Sequence, residues 1–238
     1  MKTLVTLISF LTILLVALAG PLYKFGVLDL GSAFTALRYG VYVGFAALIL
    51  ILIQIIFMRK TINWAASCTY LVLLLVIISV PLSLKNKAKS VPAIHDISTD
   101  LVNPPQFVAI ATLRSQAPNP VEYAGEETAE KQRQAYPQLT TQKYQQSTQQ
   151  LLQATETAIK NLGWQLVNAD KDLAIVEATD TSSWFGFKDD VVVRITANGK
   201  ESNLDIRSKS RIGKSDLGKN AERIHTLIDE INQQLTPH

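Results

Sequence analysis

Residues 207–220, RSKSRIGKSDLGKN, bring five basic side chains, three serines and one carboxylate into fourteen positions. At a strand-to-helix junction such a stretch could hold an anion, because free backbone N–H groups and the helix dipole both favour negative charge there. Gly213-Lys214-Ser215 matches the end of a P-loop, but that motif needs a glycine five residues before its Gly-Lys pair, and Ser208 stands there. Nucleotide binding of that kind is excluded. Arg207, Ser208, Arg211, Ser215, Asp216 and Asn220 remain as candidates for binding a ligand or partner. A structural reading competes: Arg207 paired with Asp190 across two strands, and Arg211 or Arg223 paired with Asp216 or Glu222.

Other residues carry weaker signals. His95, Asp96 and Asp100 offer metal-ligand types, yet the other histidines are His225 and His238, and no spacing of three or four convergent ligands is visible. Tying an extended segment to the domain by hydrogen bonds explains them better. Asp189-Asp190 cannot share a proton as strand neighbours, since they point to opposite faces. With no G-x-S-x-G motif, and a sole cysteine, Cys68, inside an apolar run, nucleophilic catalysis has no support. Neither metal nor cofactor is called for. The tip Trp184-Phe185-Gly186-Phe187 could enter a membrane interface, cap a cleft, meet a partner or close one end of the core.

The elements that must position these residues are legible from residue 146 onward. Leu151, Ala154, Ala158, Ile159 and Leu162 recur at helical spacing, with Gly163 as the stop. Strand-like runs follow at 164–169, 173–179, 191–197 and 201–212, the last two joined through Asn198-Gly199 as the hairpin turn. That turn pairs Val193 with Leu204, Val191 with Ile206 and Asp190 with Arg207. Val191, Val193, Ile195, Leu204 and Ile206 then share one face; Asp190, Arg194, Asp205, Arg207, Lys209 and Arg211 share the other. Leu217, Ala221, Ile224, Ile228, Ile231 and Leu235 form a helical stripe capped by Ser215 or Asp216. The predicted fold is α+β: a helix, four antiparallel strands and a helix over 146–238, preceded by an extended connector and loop region at 85–145.

Upstream the chain changes character. Uncharged runs at Thr3–Tyr23, Tyr39–Met58 and Thr61–Leu84 each reach the ~20 residues needed to cross a bilayer core, which predicts a three-helix transmembrane region over 1–84. Lipid is the expected surrounding of these helices. They contain no interior acid or histidine, so a transporter is not indicated. Gly40, Gly44 and Ala47 form a small-residue face suited to close helix packing. Ala17-Leu18-Ala19 fits a signal-peptide cleavage motif, although Gly20-Pro21 and two more spans follow, which favours an uncleaved anchor. From Lys85 onward there are eighteen basic and nineteen acidic residues, so the strongly basic surface of a nucleic-acid binder is lacking. Arg59 and Lys60 place the second hairpin in the cytoplasm, while Lys85, Lys87 and Lys89, with Lys24 and Arg38, argue for the reverse orientation.

IHDISTD (94–100), NPPQF (103–107), QAYP (134–137), LGW (162–164), FGFKDDVVVR (185–194) and DIRSKSRIGKSDLGKNAERI (205–224) occur in order over nearly the whole soluble part. In these blocks the chain resembles the bacterial and chloroplast family called domain of unknown function 1499, with Gln138 and Thr141 departing from the expected acidic and proline residues. The resemblance implies no activity. Its exported or lumenal members favour a multi-pass protein of the bacterial inner membrane with a periplasmic domain. The expectation is a non-catalytic protein binding an envelope protein partner or small anionic ligand; the alternative is an enzyme or carrier acting on a lipid or other amphiphile under the Trp184–Phe187 tip.

Overall fold

The computed structural model describes residues 2–236; His238 lies outside them. The chain divides into two compact units. One holds the residues up to Lys89 together with Ser183–Gly186, the other Ser90–Ser182 and the residues from Phe187 onward.

The first unit contains three long helices: α1 (Lys2–Lys24), α2 (Leu30–Phe57) and α3 (Trp64–Ser90). All three are long and apolar enough to cross a membrane. Asp29 caps α2 by accepting the Ser32 N–H at 2.9 Å, which starts that helix nine residues before the uncharged run. α3 passes through Pro81 and continues through Lys85, Lys87 and Lys89 to Ser90, two residues before Pro92. Gly40 and Gly44 are spent on packing within the unit. A Cβ on Gly40 would lie 2.6 Å from Val16 Cγ2 of α1, and one on Gly44 2.6 Å from Ile78 Cδ1 of α3.

The second unit is built on an antiparallel sheet of six strands, two more than expected. The strands are β1 (Asp96–Ser98), β2 (Gln142–Tyr144), β3 (Gln165–Asp170), β4 (Ile175–Thr181), β5 (Lys188–Asn198) and β6 (Glu201–Ser210). Their order is β1-β6-β5-β4-β3, with β2 also on the outer edge of β6. The segment expected as connector and loop contributes β1, β2 and two helices, α4 (Ala109–Leu113) and α5 (Glu126–Ala135). α6 (Thr148–Asn161) opens with a capping box between Ser147 and Gln150. α7 (Lys219–Leu235) closes the domain.

The β5–β6 register corrects the expected one. Asn198 pairs with Glu201, so the turn residues are Gly199-Lys200 rather than Asn198-Gly199. Gly199 has φ +63 at the first central position, the place where a type II′ turn needs glycine. Val193 therefore faces Ile206, Ile195 faces Leu204, and Asp190 faces Lys209 instead of Arg207. Because each strand shifts by one residue, pair parity is kept and the division into two faces survives.

On one face Val191, Val193, Ile195, Leu204 and Ile206 join Leu151 and Ile159 of α6 and Ile224 and Ile231 of α7 in the main core. The other face is also covered. Phe107 and Ile110 from the Asp96–Ala124 segment meet Val192 there, and Arg207 and Lys209 are buried beneath that segment.

Candidate functional site

β6 carries alternating cations onto its covered face, and each has a partner. Arg207 donates Nε–H to Asp96 Oδ1 at 2.9 Å and Nη2–H to Oδ2 at 3.0 Å. It also donates to the carbonyls of Pro105 and Val121, and its guanidinium stacks near the rings of Phe107 and Tyr123, 5.0 and 5.4 Å from their centroids. Lys209 lies 3.0 Å from Asp96 Oδ2 and also donates to the Glu122 carbonyl. Burial pushes the Lys209 ammonium pKa down, against the pull of Asp96. Asp96 is a β1 residue, so this pair fastens β1 to β6.

A second cluster surrounds Asp190. Arg211 donates Nε–H and Nη2–H to its two oxygens, each at 2.8 Å, Thr179 Oγ1 donates at 2.7 Å and Arg114 Nη1 at 3.3 Å. The expected pairing of Arg207 with Asp190 is thus replaced by Arg207 with Asp96, and Arg211 goes to Asp190 rather than to Asp216 or Glu222. The register shift moves Arg207 away from Asp190 and brings Arg211 nearer to it, while the Asp96–Ala124 segment adds Asp96 and Arg114 to the face. Asp189 points the opposite way, where Arg223 donates to it at 2.7 Å and to Asp180 at 2.8 Å.

The turn after β6 is closed by its own groups. Asp216 Oδ1 accepts the Gly218 N–H and Oδ2 the Asn220 N–H, both at 2.8 Å, so a carboxylate of the chain already occupies the α7 N-terminus. The capping position itself is Gly218, with φ +78. Burial raises the Asp216 carboxyl pKa, and those backbone donors oppose the rise. Ser215 Oγ accepts the Leu217 N–H at 3.3 Å. Asn220, fully buried, accepts from Ser208 Oγ at 2.7 Å and from Arg223 Nη1 at 2.7 Å, and donates to the His95 carbonyl at 3.0 Å. The His95 imidazole pKa is lowered, first by burial and then by the nearby Lys209 charge.

Arg194 connects the remaining candidates. Its Nη2 donates to Asp100 at 2.9 Å and to Asp205 at 3.1 Å. Asp205 also accepts from Thr99 and Thr141 hydroxyls at 3.0 and 2.6 Å. Beside this group an open groove of about 560 Å³ runs between the Thr99–Val102 turn and the Tyr136–Thr141 segment, with Arg133 at its side. Val102 stands 98 % exposed at its edge. Among the described residues no three His, Cys, Asp or Glu side chains converge as a metal site would require.

The aromatic tip divides between the units. Trp184 and Phe185 belong with the helices, whereas Phe187 closes a small turn, its N–H donating to Ser182 Oγ at 2.9 Å.

Sequence reasoning missed Glu177 and Arg114. Glu177 is fully buried and its carboxylate accepts the N–H groups of Val108 and Ala109 at 2.8 Å and of Ile110 at 3.3 Å, capping α4 from the sheet. A lone carboxylate within the apolar run LAIVEAT was the available signal.

The family model described as protein of unknown function, DUF1499, matches residues 96–231, more than half of the chain. The chain belongs to the DUF1499 family. The matched region starts at Asp96, the partner of Arg207, and ends at Ile231, buried on α7, so both limits of the DUF1499 region fall on residues that hold the domain together. None of the curated proteins matches the chain.

Proposed function

We propose that the protein is a non-catalytic component of the bacterial inner membrane, its three apolar helices spanning the bilayer and its DUF1499 domain binding an extended segment of an envelope protein in the periplasm. One observation carries the binding reading. The charged groups with the right types for chemistry or anion capture are engaged with one another or with backbone: Asp96 with Arg207 and Lys209, Asp190 with Arg211 and Arg114, Asp216 with the α7 N-terminus. Such networks make a rigid support, and the groove between Thr99–Val102 and Tyr136–Thr141 is a concave surface beside the Arg194–Asp100–Asp205 group. The periplasmic side is favoured by Arg59 and Lys60 in the α2–α3 hairpin and by the exported relatives the family resemblance implies, against the pull of Lys85, Lys87 and Lys89.

Photo-crosslinking in intact membranes tests the groove. A crosslinkable residue at Val102 should give a discrete protein adduct, while the same residue at Thr226 on the exposed side of α7 gives none. Equal adducts from both positions, or none from Val102, would remove the proposal. Reporter fusions after Ser90 and at the C-terminus test the side: a periplasmic signal at both sites is expected, and a cytoplasmic signal reverses the orientation.

A further inference from the structure

Pro21 lies inside α1, and a proline has no N–H to give to the carbonyl four residues before it. That carbonyl belongs to Ala17. It accepts the indole Nε1–H of Trp184 at 3.1 Å. A freed carbonyl in an apolar helix needs a donor, and a half-buried tryptophan N–H needs an acceptor, so the contact satisfies two groups at once.

The neighbouring residues are shaped to the same ring and its companion. A Cβ on Gly20 would lie 2.7 Å from Trp184 Cδ1 and Nε1, so only glycine leaves room for the indole. Phe185 is 6 % exposed, with its ring 5.9 Å from Tyr23 of α1, 5.8 Å from Phe34 of α2 and 5.0 Å from Trp184. Lys24 Nζ donates to the Ser183 carbonyl at 3.1 Å. Gly186 turns the tip with φ +70, and a Cβ there would come 2.8 Å from Lys24 Cγ.

We propose that residues 17–24 of α1 are a built receptor for the Trp184–Phe185 tip, formed by the carbonyl that Pro21 frees, the notch at Gly20, the Tyr23 ring and Lys24. The tip is therefore committed to the helices. It is not a free lipid- or substrate-contacting loop, and the Ala17-Leu18-Ala19 motif that fits a peptidase site is engaged by the indole instead. Neither point follows from the proposed partner binding, and neither depends on it.

The test uses the full chain in detergent micelles with its three tryptophans labelled as 5-fluorotryptophan, Trp184→Phe identifying the resonance of Trp184. In the parent chain that resonance should show little solvent isotope shift between H₂O and D₂O. Gly20→Val should expel the ring and give it the full isotope shift while the Trp164 resonance stays in place. Pro21→Ala restores a backbone donor for the Ala17 carbonyl and should move the Trp184 resonance alone. A fully solvent-exposed Trp184 in the parent overturns the proposal. So does a Trp184 resonance that ignores both variants, as burial in the micelle alone would give. Should Gly20→Val shift the Trp164 resonance as well, which signals misfolding, Pro21→Ala decides: movement of Trp184 alone supports the receptor, and no movement overturns it.

Discussion

Asp96 and Arg207 are 111 positions apart in the chain and meet through two hydrogen bonds of 2.9 and 3.0 Å, with both side chains withdrawn from solvent. A buried pair of this kind is weak evidence for net stabilisation, because each charge has lost its hydration. Breaking it is another matter, because Arg207 and Lys209 would be left facing a low-dielectric interior without their carboxylate.

Asp96→Ala should cost the DUF1499 domain about 3–5 kcal/mol, the range for removing one partner of a buried pair. Guanidinium denaturation of the detergent-solubilised chain measures it. Combining Asp96→Ala with Arg207→Met should lose less than the two single losses added, by about 0.5–3 kcal/mol, since the pair acts as a unit. Strictly additive losses would show that the carboxylate and the guanidinium are not coupled.

Arg211→Glu separates a structural from a binding role for the turn after β6. The new carboxylate would face Asp190, which is buried and now takes two hydrogen bonds from Arg211. Two carboxylates at one site raise one pKa, so the folded state holds that proton better than the unfolded state does. The variant should be destabilised at neutral pH, by about 3–5 kcal/mol, and its deficit should shrink as the pH falls. Unchanged stability with lost partner binding would instead assign Arg211 to recognition.

Tyr123 gives a prediction at the alkaline end. Its phenol pKa is pushed up to about 12, chiefly by burial and next by the Asp96 charge. A tyrosine raised in the folded state contributes stability that is complete below its unfolded pKa of roughly 10 and fades as the pH climbs through the folded value. Stability should therefore decline between pH 10 and 12, and Tyr123→Phe should flatten that part of the decline. The hydroxyl is buried without a hydrogen-bond partner among the described residues, so the substitution should be neutral or mildly stabilising at pH 7. Thermal unfolding of both forms across pH 7–12 checks both statements.

The β5–β6 hairpin, α6 and α7 were legible because their apolar residues repeat at 2.0 and 3.6 positions over long stretches. β1 and β2, of three residues each, carry no such period; their hydrogen bonds to β6 are long-range and decide their existence. The alternation in LDIRSK read as Leu204 and Ile206 on one face and Asp205, Arg207 and Lys209 on the other, which holds. What it could not reveal is that the polar face is covered, since every residue from Leu204 to Ser210 is buried. The groups that make burial tolerable include the carbonyls of Pro105, Val121 and Glu122, and a carbonyl has no residue type to recognise. The candidate turn was legible as a cluster of polar residues, but its partners were not, because Asp96, Arg114 and Asp180 come from distant segments.

Asp96 also accepts the Ala124 N–H at 3.1 Å, 28 positions further along the chain. A single carboxylate thus pins both ends of the segment that covers the polar face, and loop-closure entropy makes such a cross-link effective in proportion to the freedom it removes. With Glu177 holding Val108–Ile110 between those ends, the segment should exchange its protected amides for deuterium as one cooperative block rather than fraying inward from either end.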